Sequence, residues 1–294
     1  MSTHYQIGTH QVSAPPLEPG LYLVATPIGN LRDITIRALE TLAACDVLAC
    51  EDTRITRRLL ERYGIDKRMV TYHEHNAADA GPKLLSALAK GQSVALVSDA
   101  GTPLVSDPGY RLVHEARSQG LAVFSIPGPS AVLAALSASG LPTDDFRFIG
   151  FLPAKQKAKQ DMLTKHIASP ATLICFEAPG RLQATLAAIS DVMGNTRTVC
   201  VARELTKRFE TIRTGPIGDL CRQFADETIK GEIVVLIAPA PDDAPSHDAQ
   251  DVDTMLAGLL AEMSASKAAK EAATMTGLPK AELYARCLAL KAGE

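Results

Sequence analysis

The sequence predicts an α/β protein of two domains with a small helical appendage, and three observations carry that prediction. Short β-branched and apolar runs alternate with amphipathic helical stretches from Leu21 onward, and several of the runs end in Gly- and Pro-containing loops. The alternation pauses between residues 141 and 153 and then resumes, which marks a domain boundary. A Pro/Asp-rich stretch, PAPDDAPSHDAQ at 239–250, reads as a linker to purely helical runs beyond it. With 294 residues the chain is long enough for two cores.

The expected organisation is a disordered tail over 1–20, an N-terminal α/β domain over 21–140, a second α/β domain over 141–238, the linker, and a helical appendage over 251–294. Residues 1–20 lack both a basic start and an apolar core, so they do not read as a secretory signal. Leu21 to Ala25 is a strand, followed by the loop TPIGNLRDIT at 26–35 and a helix to about Ala44. Val47 to Cys50 is a second strand, closing on Glu51, Asp52, Thr53 and Arg54. The next helix carries Arg54, Arg57, Arg58 and Arg62 on one side and Leu59, Leu60 and Tyr63 for the core. Val70 to Tyr72 leads into HEHN at 73–76, whose two histidines find no further ligands at a matching spacing.

The stretch SDAGTPLVSDPG at 98–109 follows the buried-strand run Val94 to Val97. Gly101, Pro103, Pro108 and Gly109 enforce an irregular backbone, and Gly101 admits a ligand close to the main chain. Asp99, Thr102, Ser106 and Asp107 crowd short polar side chains at the strand's carboxyl end, where open α/β sheets hold ligands. Asp107 also suits the cap of a helix opening near Pro108. After helix 108–119 and strand Val123 to Ile126, PGPSA at 127–131 opens a helix that Ser130 is placed to cap.

In the second half, strands fall near 172–176, 198–202, 210–214 and 233–238, with helices over 180–190 and 216–226. The short link between the second and third of these strands predicts an antiparallel pair and hence a mixed sheet. FEAPGRL at 176–182 and VARELTKRFE at 201–210 stand at strand ends. Helical runs over 252–264, 266–276 and 280–291 complete the chain, as a packing or dimerisation element with five basic residues that could touch RNA.

Charge is nearly balanced, 30 basic against 33 acidic residues, so contact with nucleic acid has to come from local patches. Six cysteines form no C-x-x-C pair, consistent with reduced thiols in a cytoplasmic protein, and no apolar stretch reaches the ~18 residues a membrane helix needs. The chain has no G-x-x-x-x-G-K-[ST] loop, no G-x-G-x-x-G after the first strand and no G-x-S-x-G elbow. Nucleoside-triphosphate hydrolysis, a standard dinucleotide fold and nucleophile-elbow hydrolysis are thereby disfavoured.

Seven stretches taken in order resemble the tetrapyrrole-methylase superfamily of S-adenosylmethionine-dependent enzymes. They are LYLVATPIGNLRDITIRAL at 21–39, ACEDTRITRRLL at 49–60, HEHN at 73–76, LVSDAGTPLVSDPG at 96–109, IPGPSA at 126–131, FEAPGRL at 176–182 and ARELTK at 202–207. Within the superfamily the chain is similar to the bacterial ribosomal RNA small-subunit methyltransferase I family, which methylates the ribose 2′-oxygen of a decoding-centre cytidine. The resemblance implies two α/β domains with S-adenosyl-L-methionine in the cleft between them, a homodimer, and 16S ribosomal RNA in the small subunit as partner, with neither metal nor membrane.

It also implies residues. Pro27 and Gly29 lie in a Pro-Ile-Gly loop that replaces the Gly-Pro-Gly of porphyrin-type relatives, a departure favouring the RNA branch. Gly101, Thr102 and Pro103 stand where relatives carry Gly-Asp-Pro against the cofactor, with Asp99, Val105 and Ser106 beside them. Ser130, Ala131, Phe176 and Ala202 complete the expected cofactor set. Methyl transfer from a sulfonium is an in-line displacement, so alignment and exclusion of water come first, and a base or cation helps because a ribose hydroxyl is a poor acid. Glu51, Asp52, Glu177 and Glu204 are the candidate carboxylates, and Arg54, Arg181 and Arg203 the candidate cations. Spacing does not choose among them. Arg54, Arg57, Arg58, Lys155, Lys157 and Lys159 form the expected RNA surface. A tetrapyrrole or modified-residue acceptor, and a binding-only ribosome-assembly role, remain the other readings.

Overall fold

Residues 3–106, 109–241, 249–276 and 280–292 are described by the structure, a computed structural model. In chain order the elements are β1 (His4–Ile7), β2 (His10–Ser13), β3 (Gly20–Val24), α1 (Ile36–Ala44), β4 (Val47–Cys50), α2 (Thr53–Arg62), β5 (Met69–Thr71), α3 (Ala77–Ala89), β6 (Ser93–Val97), α4 (Tyr110–Ser118), β7 (Val123–Ile126) and α5 (Ala131–Ala138). There follow β8 (Phe146–Phe151), α6 (Gln156–Thr164), β9 (Thr172–Glu177), α7 (Leu182–Met193), β10 (Thr198–Arg203), β11 (Thr211–Pro216), α8 (Ile217–Phe224), β12 (Ile233–Ile237), α9 (Ala249–Glu262), α10 (Ala265–Thr276) and α11 (Lys280–Ala292). The α/β class and the helical appendage expected from the sequence are observed. No described helix is long and apolar enough to cross a membrane.

By the density of its contacts the chain divides into two units. The first holds the residues up to Gly140 together with Val201–Arg213 and Gly231–Val234, and the second holds Leu141–Cys200, Thr214–Lys230 and the residues from Val235 onward. In the first unit the sheet order is β5-β4-β6-β3-β7, and every pairing is parallel. Strands buried on both faces need apolar residues at every position, which is why β6 reads Ser-Val-Ala-Leu-Val with all five buried. Helices α1 and α2 cover one face, with Leu39, Leu42, Leu59 and Leu60 against Val24, Leu48 and Val97. Helices α3 and α4 cover the other, with Leu84, Leu88 and Leu112 against Leu21, Val94 and Leu96.

Residues 1–20, expected as a disordered tail, are instead ordered over most of their described length. Strands β1 and β2 pair antiparallel, from His4 with Ser13 to Ile7 with His10, and Tyr5 is buried in the first core. The Gln6 amide donates to the Tyr63 carbonyl at 2.7 Å. The physical reason is that one inward aromatic ring, together with Val12 packed beside it, gives a short ribbon a core to lie on.

The second unit contains α6, α7, α8, β8, β9 and the appendage in full. The second sheet runs in the order β11-β10-β12-β9-β8. β10 and β11 are neighbours, as expected, and β8, read only as a short run in the boundary stretch, is an edge strand parallel to β9. Helices α9, α10 and α11 make a core of their own from Val252, Leu256, Ala268, Ala269, Ala272, Leu283 and Cys287. Asp107 and Pro108, expected to cap and open α4, and most of the 239–250 linker lie outside the described residues.

Candidate functional site

Adjacent strands β3 and β6 send the chain in opposite directions. From β3 it crosses under α1 to β4, and from β6 it crosses under α4, on the opposite face, to β7. The gap beyond their carboxyl ends is therefore a topological switch point, where open α/β sheets bind ligands. The loops that leave β3 and β6 are tied together there. Thr26 and Gly101 exchange both main-chain hydrogen bonds, each 2.9 Å, and the buried Thr26 hydroxyl donates to the Ser98 carbonyl at 3.2 Å. Gly101 has φ 81°, and Leu104 and Ser106 follow at 72° and 67°, so the segment folds back through left-handed backbone that glycine adopts at least cost.

A third loop joins them. The Thr102 hydroxyl donates to the Pro129 carbonyl at 3.2 Å, and a Cβ on Gly128 would stand 3.0 Å from that of Ala25. Ser130 caps α5 by accepting from the Leu133 amide at 3.4 Å. Pro27, Gly29, Asp99, Gly101, Thr102, Pro103, Val105, Ser106, Ser130 and Ala131 thus all lie on three loops that converge on one crevice. Val105 is partly exposed there. Together these residues offer main-chain donors and acceptors, small apolar surfaces and a carboxylate.

That carboxylate is Asp99, which accepts from the Asp52 amide at 3.0 Å. Burial, with the Asp52 charge adding to it, pushes the Asp99 carboxyl above its ordinary value. Asp52 itself caps α2 by accepting from the Arg54 amide at 2.8 Å and pairs with the Arg54 guanidinium at 2.6 Å. That hydrogen-bonded pair holds the Asp52 carboxyl down at about 2. Arg54 is turned back on its own helix cap, whereas Arg57 and Arg58 project from α2 into solvent. Glu51 is half-buried at the end of β4.

The turn after β10 reaches the first loop. Glu204 and Thr206 have φ 55° and 65°. The Asn30 amide donates to the Thr206 hydroxyl at 3.1 Å, and a Cβ on Gly29 would meet Lys207 Cγ at 2.6 Å and the Leu205 carbonyl at 3.2 Å. Lys207 is fixed by Glu204 at 2.8 Å and Glu232 at 2.7 Å. Its hydrogen bond leads the causes that hold the Glu204 carboxyl below its ordinary range. Ala202 is fully buried in β10, and Arg203 donates to the Thr211 hydroxyl at 3.2 Å. Glycine and asparagine at 29 and 30 carried no sequence signal of this contact, because Asn30 and Thr206 lie 176 positions apart.

In the second unit, Phe176 and Glu177 end β9. Glu177 is buried, accepts from the Ala178 amide at 2.8 Å and from the Thr185 hydroxyl, and pairs with Arg181 at 3.1 Å. Arg181 also donates to the Leu152 carbonyl. Lys159 was expected on an RNA surface, and here the structure corrects the sequence. Its side chain is 1% exposed, its Nζ donates to Thr185 at 2.8 Å, and burial pushes its pKa down. The alternation of KQKAKQ placed a lysine on the inner face of α6, where the hydroxyl of Thr185 and the charge of Glu177 offset its burial. Lys155 and Lys157 do lie on the surface, Lys157 in an ion pair with Asp161 at 3.0 Å. Among the described residues no group of three or more His, Cys, Asp and Glu is placed to hold a metal ion.

Comparison with known proteins places these loops in context. The family described as Tetrapyrrole (Corrin/Porphyrin) Methylases matches residues 20–221, and the RsmI C-terminal HTH domain matches residues 246–291. The chain is 59% identical over 286 residues to "Ribosomal RNA small subunit methyltransferase I" of Mesorhizobium japonicum, covering 97% of both chains. It is 46% identical over 283 residues to the protein of the same name from Escherichia coli O157:H7, covering 94% of this chain and 96% of that one. Among solved structures, a conserved hypothetical protein from Aeropyrum pernix K1 superposes with a TM-score of 0.60 at 18% identity, over 76% of this chain and 85% of that chain, a likeness of fold alone.

Proposed function

This chain belongs to the tetrapyrrole methylases, in the branch of the ribosomal RNA small subunit methyltransferases I, and from that premise we propose how its loops serve S-adenosyl-L-methionine-dependent methylation of small-subunit ribosomal RNA. The acceptor in this reading is the ribose 2′-hydroxyl of a cytidine in the decoding region of 16S RNA. The observation that carries it is the clamp at the switch point, where Thr26 and Gly101 hold two loops main chain to main chain.

Such a crevice fits the cofactor. Gly101, buried at φ 81°, turns the loop without a side chain, partly exposed Val105 offers an apolar contact, and Asp99 supplies a half-buried acceptor for a hydroxyl pair. Pro27, Gly29, Gly101, Thr102, Pro103, Ser106, Ser130 and Ala131 would hold it, with Ala202 as a further member of the set. When bound, S-adenosyl-L-methionine supplies an electrophilic methyl group on a sulfonium. The chain's own part is to position the ribose oxygen and keep water out.

Arg181 and Arg203 are the cations assigned to the substrate ribose and phosphates, since each stands at a strand end. Glu177, buried against Arg181, acts as that arginine's anchor. Asp52, at about 2, is a weak proton acceptor, and Glu204 is engaged by Lys207. Arg54, Arg57, Arg58, Lys155 and Lys157 line the RNA surface in this reading. A cytoplasmic homodimer working on the assembled small subunit completes it, supported by the family resemblance and by the subunit in the relatives' names.

The test is transfer of label from S-adenosyl-L-methionine, offered in parallel to purified small ribosomal subunits and to a tetrapyrrole mixture. Label in the subunit RNA is the expected result. Label only in tetrapyrrole moves the acceptor to the other branch of the superfamily.

A further inference from the structure

Phe151, on an aromatic shelf at the edge of the second sheet, has no part in the reading above. Strand β8 follows β9 residue for residue from Phe146 opposite Thr172 to Phe148 opposite Ile174, then slips so that Phe151 comes opposite Phe176. Within the slip Gly150 takes φ 69°, and a Cβ there would meet nothing within 4 Å. The glycine serves the backbone and not a tight fit. Bulges of this kind re-aim a side chain beside functional sites. This one sets the Phe151 ring against Phe176 at 5.6 Å between centroids and 64° between planes, with Phe148 on Phe176 at 4.9 Å and 61°.

Phe176 is thus braced by two rings, while Phe151 is 55% exposed. A chain with seven phenylalanines and no tryptophan places three of them at one strand end. Cations flank the exposed ring. The carbonyl of Leu152, the next residue, accepts from the Arg181 guanidinium, and that guanidinium is anchored by buried Glu177. Lys155 and Lys157 follow on the surface. An apolar partner side chain would gain nothing from these cations, and a second copy of the strand would meet an edge whose pairing is already spoiled by the bulge. An unpaired nucleobase with its phosphates uses both features, stacking on the ring and pairing with the cations.

We propose that Phe151 is a stacking platform for an unstacked base of the RNA substrate, with Arg181 and Lys155 at the adjoining phosphates. The proposal rests on the RNA-methylation reading and adds to it a place where the substrate base is held. Its test uses the full chain with Phe151→Leu, which keeps an apolar side chain of similar size but no flat face, and Phe151→Tyr, which keeps the face. KM for small ribosomal subunits and the dissociation constant for S-adenosyl-L-methionine are measured separately, alongside thermal unfolding and sedimentation.

The expected result is a subunit KM about tenfold higher for Phe151→Leu, restored by Phe151→Tyr, with cofactor affinity, melting temperature and mass in solution unchanged. A Phe151→Leu enzyme with an unaltered subunit KM overturns the proposal. Weakened cofactor binding assigns the ring to the cofactor's adenine and also overturns it, as does a change in oligomeric state, which assigns the ring to a protein interface. Absence of transfer to subunits by the wild-type chain counts against the methylation reading, and is distinguished by being seen before any substitution.

Discussion

Single residues show how tightly the site is specified. Gly29 is glycine because Lys207 and the Leu205 carbonyl occupy the space a side chain would take. Gly29→Ala is expected to lower stability by about 1–3 kcal/mol through overpacking, and Lys207→Ala in the same chain to recover part of the loss. A double-mutant cycle by urea unfolding checks this, and strictly additive costs would show that the contact does not limit the site. Asp46 illustrates pH dependence. Its carboxylate accepts from the Ser93 amide and hydroxyl, both at 2.7 Å, and those bonds hold its pKa below the ordinary value. With the folded-state pKa below the unfolded one, the contribution is fully present above the unfolded carboxylate range and is lost as pH falls through the folded value. Asp46→Ala should therefore cost about 1 kcal/mol or less at pH 7, given its exposure, and the gap to wild type should close on acidification. Burial pushes the Cys175 thiol up to about 12 and Cys45 to about 11, so both should resist a thiol reagent until the chain unfolds, with half-buried Cys221 reacting first.

Elements were legible to different degrees. Strands β3, β4, β6 and β7 announce themselves because a sheet covered on both faces demands continuous apolar runs, and their Gly/Pro ends point to the crevice. The helix cap at Ser130 was likewise readable from local chemistry, whereas Asp52, read only as a candidate carboxylate, proves to cap α2. The hairpin β1–β2 was not, since its stability comes from one ring, Tyr5, finding a distant core. The edge strand β8 was hidden for a similar reason: exposed phenylalanines and a glycine bulge break the alternation that marks a strand. On α2, two arginines at 57 and 58 remain exposed while Arg54 is held by Asp52. Replacing Arg57 and Arg58 together by alanine should weaken binding to small subunits and reduce the logarithmic salt slope by about one to two. A salt series with an unchanged slope removes this helix from the RNA surface.

At the scale of the whole molecule, the class of fold and the order of the loops follow from local patterns, and those patterns sufficed to point at one family. What stayed hidden is long-range. No spacing reveals that residue 29 meets residue 207, or that Lys159 turns inward to Thr185 while Lys155 and Lys157 stay outside, because such choices are made by partners far along the chain. The same holds for the choice of acceptor atom, which depends on how the ribose is presented to the crevice and not on any motif. The acceptor atom proposed above is the 2′-oxygen of a cytidine. The most direct measurement is mass analysis of nucleosides from small-subunit RNA methylated by the purified chain. Ribose-methylated cytidine, with the base unmodified and the product lost when Gly101 is replaced by valine, is the predicted result; a methyl group on the base, or on any nucleoside other than cytidine, contradicts the account.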